Sequence, residues 1–165
     1  MARKKNLPRY EEIELESLAE GGRAVARVDG LVIFVRGGAP GDIVDIQVTK
    51  KRKGYLEARI EKVRVFSSRR VEPICPHFEA CGGCVWQHVS YRTQLEAKQK
   101  ITEDAFARIG GIEPEEFRSI LPSPKTEEYR NKLEYSFAAY RWLSAEERET
   151  LPAAGSAGSQ GVDRR

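Results

Sequence analysis

With 165 residues and a mass of 18.6 kDa, the chain has room for one ordinary domain or two small ones and little space beside them for a long catalytic fold. A net charge of +3 and pI near 8.8 are only mildly basic, and a mean hydropathy of −0.54 with no apolar run near the ~20 residues of a bilayer span excludes a membrane helix. The charge is uneven: residues 1–70 hold 16 Lys/Arg against 10 Asp/Glu, while residues 71–165 hold 12 against 15, so a polyanion meets the first part first.

The start, Arg3-Lys4-Lys5, is basic like a signal peptide's first segment, but acidic residues follow where the apolar stretch belongs, so no secretory leader is expected. From residue 10 to 65 apolar residues keep a period near two, and turn residues interrupt them every eight to twelve positions. The expected strands are 10–17, with Ile13 and Leu15 on one face, then 23–28, 31–36, 42–49 and 55–65. Gly21-Gly22 breaks the first, and Asp29-Gly30 is a two-residue hairpin signal. Gly37-Gly38-Ala39-Pro40-Gly41 makes the next turn, and residues 50–54 form a polar tip. Five short strands without an intervening helix predict a mainly β fold that opens with a small OB-like barrel, because closure removes exposed edges.

Residues 66–70 read as a polar connector and a domain boundary. Ser90 is placed to cap a helix to about residue 109, with Tyr91, Leu95, the Lys98 stem, Ile101, Ala105 and Ile109 on one stripe and Gly110-Gly111 as the stop. Three prolines punctuate the next loop before a strand over 129–141, and the Gly, Ala and Ser-rich end of the chain is expected to be disordered.

Cys75-x5-Cys81-Gly82-Gly83-Cys84 is the sharpest chemical signal, because three soft thiolates within ten residues can fold around one centre. The glycines tolerate left-handed backbone and bring amide N–H groups close to sulfur. His77 and His88 lie near enough in sequence to offer a closed Cys3His zinc site, so spacing alone leaves iron–sulfur and zinc comparable. An odd number of cysteines fits a reducing cytoplasm, where thiolates serve metals or chemistry. The run Lys50-Lys51-Arg52-Lys53 with Tyr55 combines cations for phosphates with an aromatic platform for bases, and Arg23, Arg27 and Arg36 reinforce it. RNA binding is expected there, with Arg130 and Lys132 as the second candidate contacts. Glycines 155, 158 and 161 follow no strand and open no helix, so no dinucleotide or S-adenosylmethionine site is expected on them. No Ser/His/Asp set, paired-carboxylate site or Walker-type loop stands out, so no catalytic residue is assigned.

Two stretches are similar to a known family. Ala19-Glu20-Gly21-Gly22-Arg23-Ala24-Val25-Ala26-Arg27-Val28-Asp29-Gly30, then Val32-Ile33-Phe34-Val35, Ala39-Pro40-Gly41-Asp42 and Val44-x-Ile46, resemble the TRAM domain, a small RNA-binding barrel. Cys75-Pro76-His77-x3-Cys81-Gly82-Gly83-Cys84-x-Trp86-Gln87-His88, Tyr91-x2-Gln94-Leu95-x2-Lys98-Gln99, Arg108-Ile109-Gly110-Gly111 and Tyr129-Arg130-Asn131-Lys132-Leu133-Glu134 resemble the bacterial RNA uracil-5-methyltransferases, of the branch acting on 23S ribosomal RNA. The resemblance implies a [4Fe-4S] cluster on Cys75, Cys81 and Cys84, with a fourth cysteine that this sequence lacks. It also implies a Rossmann-like S-adenosylmethionine domain, carrying the nucleophilic cysteine, that lies outside these residues.

The expected organisation is therefore a TRAM barrel over 8–66, a small α+β iron–sulfur segment over 67–143 and a disordered tail over 144–165. The expected function is the RNA-binding and iron–sulfur portion of an rRNA uracil-5-methyltransferase, inactive by itself, monomeric, cytoplasmic and bound to RNA rather than membrane. The alternative is a freestanding RNA-binding zinc or iron–sulfur module.

Overall fold

A computed structural model describes residues 7–78, 81–129, 132, 134 and 137. The contacts divide the chain into Met1–Tyr129 and Arg130–Arg165. In the second unit Lys132 Nζ lies 3.7 Å from Glu134, and Phe137 is exposed. The expected strand over 129–141 lies outside the described residues except at Tyr129, Lys132, Glu134 and Phe137, and the expected tail and basic start lie outside them entirely.

The first unit is mainly β. Its strands are β1 Arg9–Glu14, β2 Ser17–Ala19, β3 Arg23–Val28, β4 Leu31–Arg36, β5 Ile43–Arg52 and β6 Tyr55–Val65. They form one curled sheet in the order β1-β5-β6-β4-β3-β2, antiparallel throughout except for the parallel pair β4 and β6. The two edge strands are consecutive in sequence, and this is where the expectation of five strands is corrected to six. Between β1 and β2 the Leu15 N–H donates to the Asp42 carbonyl, whereas the next N–H, of Glu16, donates to Val25. One extended segment thus changes partner from the start of β5 to β3, and the ladder breaks at the change. A bulge between Tyr10 and Ile13 adds to the bend, with Glu12 at φ 54 and its N–H on the Asp45 carboxylate.

Alternation fills the inside of the curl. Ala24 and Ala26, Ile33 and Val35, Val44, Ile46 and Val48, and Leu56 and Ala58 point inward and are buried together with Leu15. The Asp29-Gly30 turn forms as expected, with φ of 50 and 76 and Val28 opposite Leu31. The polar tip is a correction. β5 continues to Arg52, pairing Lys50 with Glu57 and Arg52 with Tyr55, so only Lys53 and Gly54 remain as the turn. Cross-strand attraction to Glu57 explains the added length: Lys50 Nζ lies 3.7 Å and Arg52 Nε 3.1 Å from its carboxylate.

Two buried carboxylates hold the strands to the rest. Asp45 accepts the Arg64 Nε–H, shared between its two oxygens, and the Glu12 amide N–H. Asp42, fully buried just before β5, accepts from the Ala39 N–H (2.6 Å), the Ser67 N–H (2.9 Å) and two nitrogens of Arg70 (2.9 and 2.7 Å). The connector 66–70 is therefore clamped to the sheet. At its end Arg70 bridges Val89, the Val71 N–H donates to His88 and the Ser90 N–H to Arg69, so the cysteine loop between them begins and ends at one place.

Helix α1, Tyr91–Asp104, follows, capped as expected by the Ser90 hydroxyl accepting from the Thr93 N–H. It passes into a π-helical turn, Ala105–Gly110, which Gly111 closes in the left-handed region. Thr93 and Ala97 are the buried residues of α1, Tyr91, Leu95 and Ile101 of the expected stripe are half-buried, and Ile109 is exposed. Small side chains let the helix approach β2 closely.

Burial pushes the Asp42 carboxyl up, but the hydrogen bonds from Arg70 and the two amides, with the guanidinium charge, outweigh it and hold the group below the ordinary aspartate value. Arg64 holds Asp45 down in the same way. A depressed folded-state pKa adds stability above the unfolded value of 3.8 that is lost as pH falls through the folded one. Melting temperature is thus expected to hold between neutrality and about pH 5 and to drop steeply below about pH 4. Asp42→Asn, which strands Arg70, is expected to cost about 2–3 kcal/mol at pH 7 by urea denaturation and much less at pH 3.

Candidate functional site

The outer side of β3, β4 and β6 carries what the inside excludes. Phe34 and Arg36 alternate with Ile33 and Val35 on β4, and Tyr55, Glu57 and Arg59 alternate with Leu56 and Ala58 on β6. The parallel register sets Phe34 beside Glu57 and Arg36 beside Arg59. Phe34 is the centre. The Arg23 guanidinium lies 4.7 Å from its ring centroid, and the Tyr55 ring meets it edge-on at 5.3 Å.

A groove of about 920 Å³ runs along this face. Arg23, Phe34, Arg36, Lys50 and Arg59 line it together with Gly82, Cys84 and His88. Glu57 is its acidic member. The hydrogen bond from Arg52, with the charges of Lys50 and Arg52, holds its pKa below the usual glutamate value, so it stays ionised and offsets those two cations. Among the described residues Arg36, Lys51 and Lys53 face no carboxylate at ion-pair distance. Arg27 is different, since its guanidinium pairs with Glu16. Of the residues expected from sequence, the structure thus brings Lys50, Arg52 and Tyr55 to one strand pair, leaves Lys53 in the turn, and puts Lys132 in the second unit. Arg130 lies outside the described residues. Phe34 and Arg59 were missed, although the period-two pattern that buries Ile33, Val35 and Ala58 already turned them outward.

The cysteine loop rests against the same face. A Cβ on Gly22 would collide with Val85, and one on Gly38 with Leu15, so both close approaches require glycine. His88, 5% exposed, donates from Nε2 to the Gly38 carbonyl at 2.9 Å and stacks on Phe78 at 5.3 Å. It braces the loop against the sheet.

All three cysteines are free thiols, Cys81 and Cys84 exposed and Cys75 half-buried. Among the described residues no three His, Cys, Asp or Glu side chains are gathered as a metal-binding group, so a bound cluster would have to draw the thiolates together. The donor chemistry suits that cluster. Gly83 lies against the Cys81 sulfur, where a Cβ would stand 3.4 Å from Sγ. Two residues past Cys84, the Trp86 indole N–H is a buried donor with no hydrogen-bond partner. His77 is exposed, and its carbonyl accepts from the Cys81 N–H at 2.8 Å.

Residues 5–60 match the TRAM domain family. An uncharacterized RNA methyltransferase of Porphyromonas gingivalis is 46% identical over 82% of this chain and 29% of its own length, and one of Bacteroides thetaiotaomicron is 48% identical over 79% and 29%. The chain carries a TRAM domain, and about 80% of it is similar to proteins named RNA methyltransferase. A relative in Bordetella avium, 42% identical over 69% of this chain and 24% of its own, is named 23S rRNA (uracil(1939)-C(5))-methyltransferase RlmD. The chain spans about 29% of the length of the first two relatives. A solved structure, a conserved protein of Methanococcus maripaludis, is 29% identical, covers 37% of this chain and 93% of its own, and has a TM-score of 0.31.

Phe34→Ala is expected to weaken single-stranded RNA binding by about 1–3 kcal/mol in a filter assay, with Arg27→Ala unchanged within about 0.5 kcal/mol. Replacing Lys50, Lys51, Arg52 and Lys53 together by Ser should flatten the salt dependence, whereas Glu57→Gln should raise affinity at low salt by freeing two cations.

Proposed function

We propose that this chain is the RNA-binding and iron–sulfur portion of an S-adenosylmethionine-dependent 23S rRNA uracil-5-methyltransferase. The observation that carries the reading is the groove, which joins the cationic, aromatic face of the sheet to the cysteine loop. Phosphates suit Arg36, Lys50 and Arg59, and an unstacked base suits Phe34. The relatives' names give the substrate class, and 23S ribosomal RNA comes from the RlmD relative.

Cys75, Cys81 and Cys84 would hold a [4Fe-4S] cluster. Such a cluster supplies a covalent staple for the loop through its three thiolates, with the remaining ligand drawn from elsewhere. Thiols committed in this way are not available as the nucleophile that adds to uracil, so this chain's role is to grip RNA and present it. Neither an S-adenosylmethionine site nor a catalytic base is assigned to its residues.

Protein purified without oxygen is expected to be brown, with a broad visible absorption band that bleaches on reduction and is lost in Cys81→Ser. Colourless protein with one tight zinc per chain, lost equally in Cys81→Ser and His88→Ala, would favour the Cys3His module instead. Labelled S-adenosylmethionine and ribosomal RNA incubated with the 165-residue chain should give no labelled RNA. Labelling would place a catalytic site within these residues and overturn the reading.

A further inference from the structure

A second cavity, of about 630 Å³, lies between the connector and the cysteine loop. Phe66, Arg70, Glu72, Phe78 and His88 are among its walls, and Cys75, assigned above to the cluster, borders it. Phe66, Arg70, Phe78 and His88 also line the groove, so the cavity opens from the path assigned to RNA.

Glu72 is what sets its walls apart from the groove. The Phe66 ring is 68% exposed, yet it is held from behind by the Arg70 guanidinium 5.2 Å from its centroid, and Arg70 is itself fixed on Asp42. Phe78 is likewise fixed on His88, which is tied to Gly38. Each ring is thus backed by a fixed partner, and a planar group stacking on either loses little by ordering it. Glu72 is exposed and, among the described residues, has no cation within ion-pair distance, so the cavity carries an uncompensated carboxylate. That charge repels phosphate. It accepts N–H donors.

We propose that this cavity receives one unstacked RNA base, with guanine preferred; the proposal rests on the RNA-binding reading above. The phosphates stay on the cationic groove while the base turns into the cavity against Phe66 and Phe78. The Glu72 carboxylate takes the two adjacent donors of guanine, N1–H and the N2 amino group. Uracil offers one N–H flanked by carbonyls that a carboxylate repels, and adenine and cytosine each offer a single amino group.

The test uses the full chain and fluorescence anisotropy with short oligouridine strands, either plain or with one central guanosine or adenosine. The guanosine strand is expected to bind about tenfold tighter than plain oligouridine. Phe66→Ala should abolish that advantage, and Glu72→Gln should bring guanosine and adenosine strands to equal affinity. Phe34→Ala should weaken all strands alike and leave the advantage intact. Both cavity side chains are exposed, so melting curves of Phe66→Ala and Glu72→Gln should match the parent. Strands that bind through Phe34 with no guanosine advantage, or an advantage that survives Phe66→Ala, would overturn the cavity proposal and leave the groove standing. No binding of any strand would overturn the RNA reading and this proposal with it.

Discussion

The carboxylate of Asp42 is the point on which the first unit turns. It lies out of solvent where β5 begins and accepts from the 37–41 loop through the Ala39 amide, from the connector through the Ser67 amide, and from Arg70. A lone charge there would be costly to bury, and a guanidinium with two amides satisfies it. Because the same aspartate gathers three segments, it sets where Phe66 stands under Arg70 and where the cysteine loop leaves the sheet. Phe66 and Arg70, which line both cavities, take their places from this one group.

The sheet divides its two sides with little overlap. Inside, alanines on β3 and β6 make room for the larger aliphatics of β4 and β5, so the curl closes tightly without aromatic filling. Outside, the rings that the core does not use are free to meet RNA. Glu57 tempers the positive field by pairing with Lys50 and Arg52, an arrangement that favours reversible contact over indiscriminate attachment to any polyanion.

Local chemistry made much of this legible in the sequence. Asp29-Gly30 specified its hairpin, Ser90 its helix start, and the alternation of Ile33, Val35, Val44, Ile46 and Val48 the core. What stayed hidden depends on partners distant in the chain. The division of the first strand follows from Asp42 and Val25 taking successive amides, and the length of β5 follows from Glu57 across the hairpin. The buried contacts of α1, Thr93 and Ala97, were not read from the sequence, because small residues decide how closely a helix can approach a strand. The place of His88 against Gly38 is likewise set by a contact fifty positions away.

The crossing of Arg70 with Val89, joined by the hydrogen bonds from Val71 to His88 and from Ser90 to Arg69, makes the cysteine loop a closed excursion whose two ends meet. Joining the ends of a flexible segment becomes only slowly harder with length, by about 0.6 kcal/mol for each doubling. Insertions and deletions between those ends therefore disturb the sheet little, provided Gly38 and Asp42 keep their hold. Such a loop is free to vary in size among relatives, or to be grafted onto another barrel of this topology, without the host fold having to change.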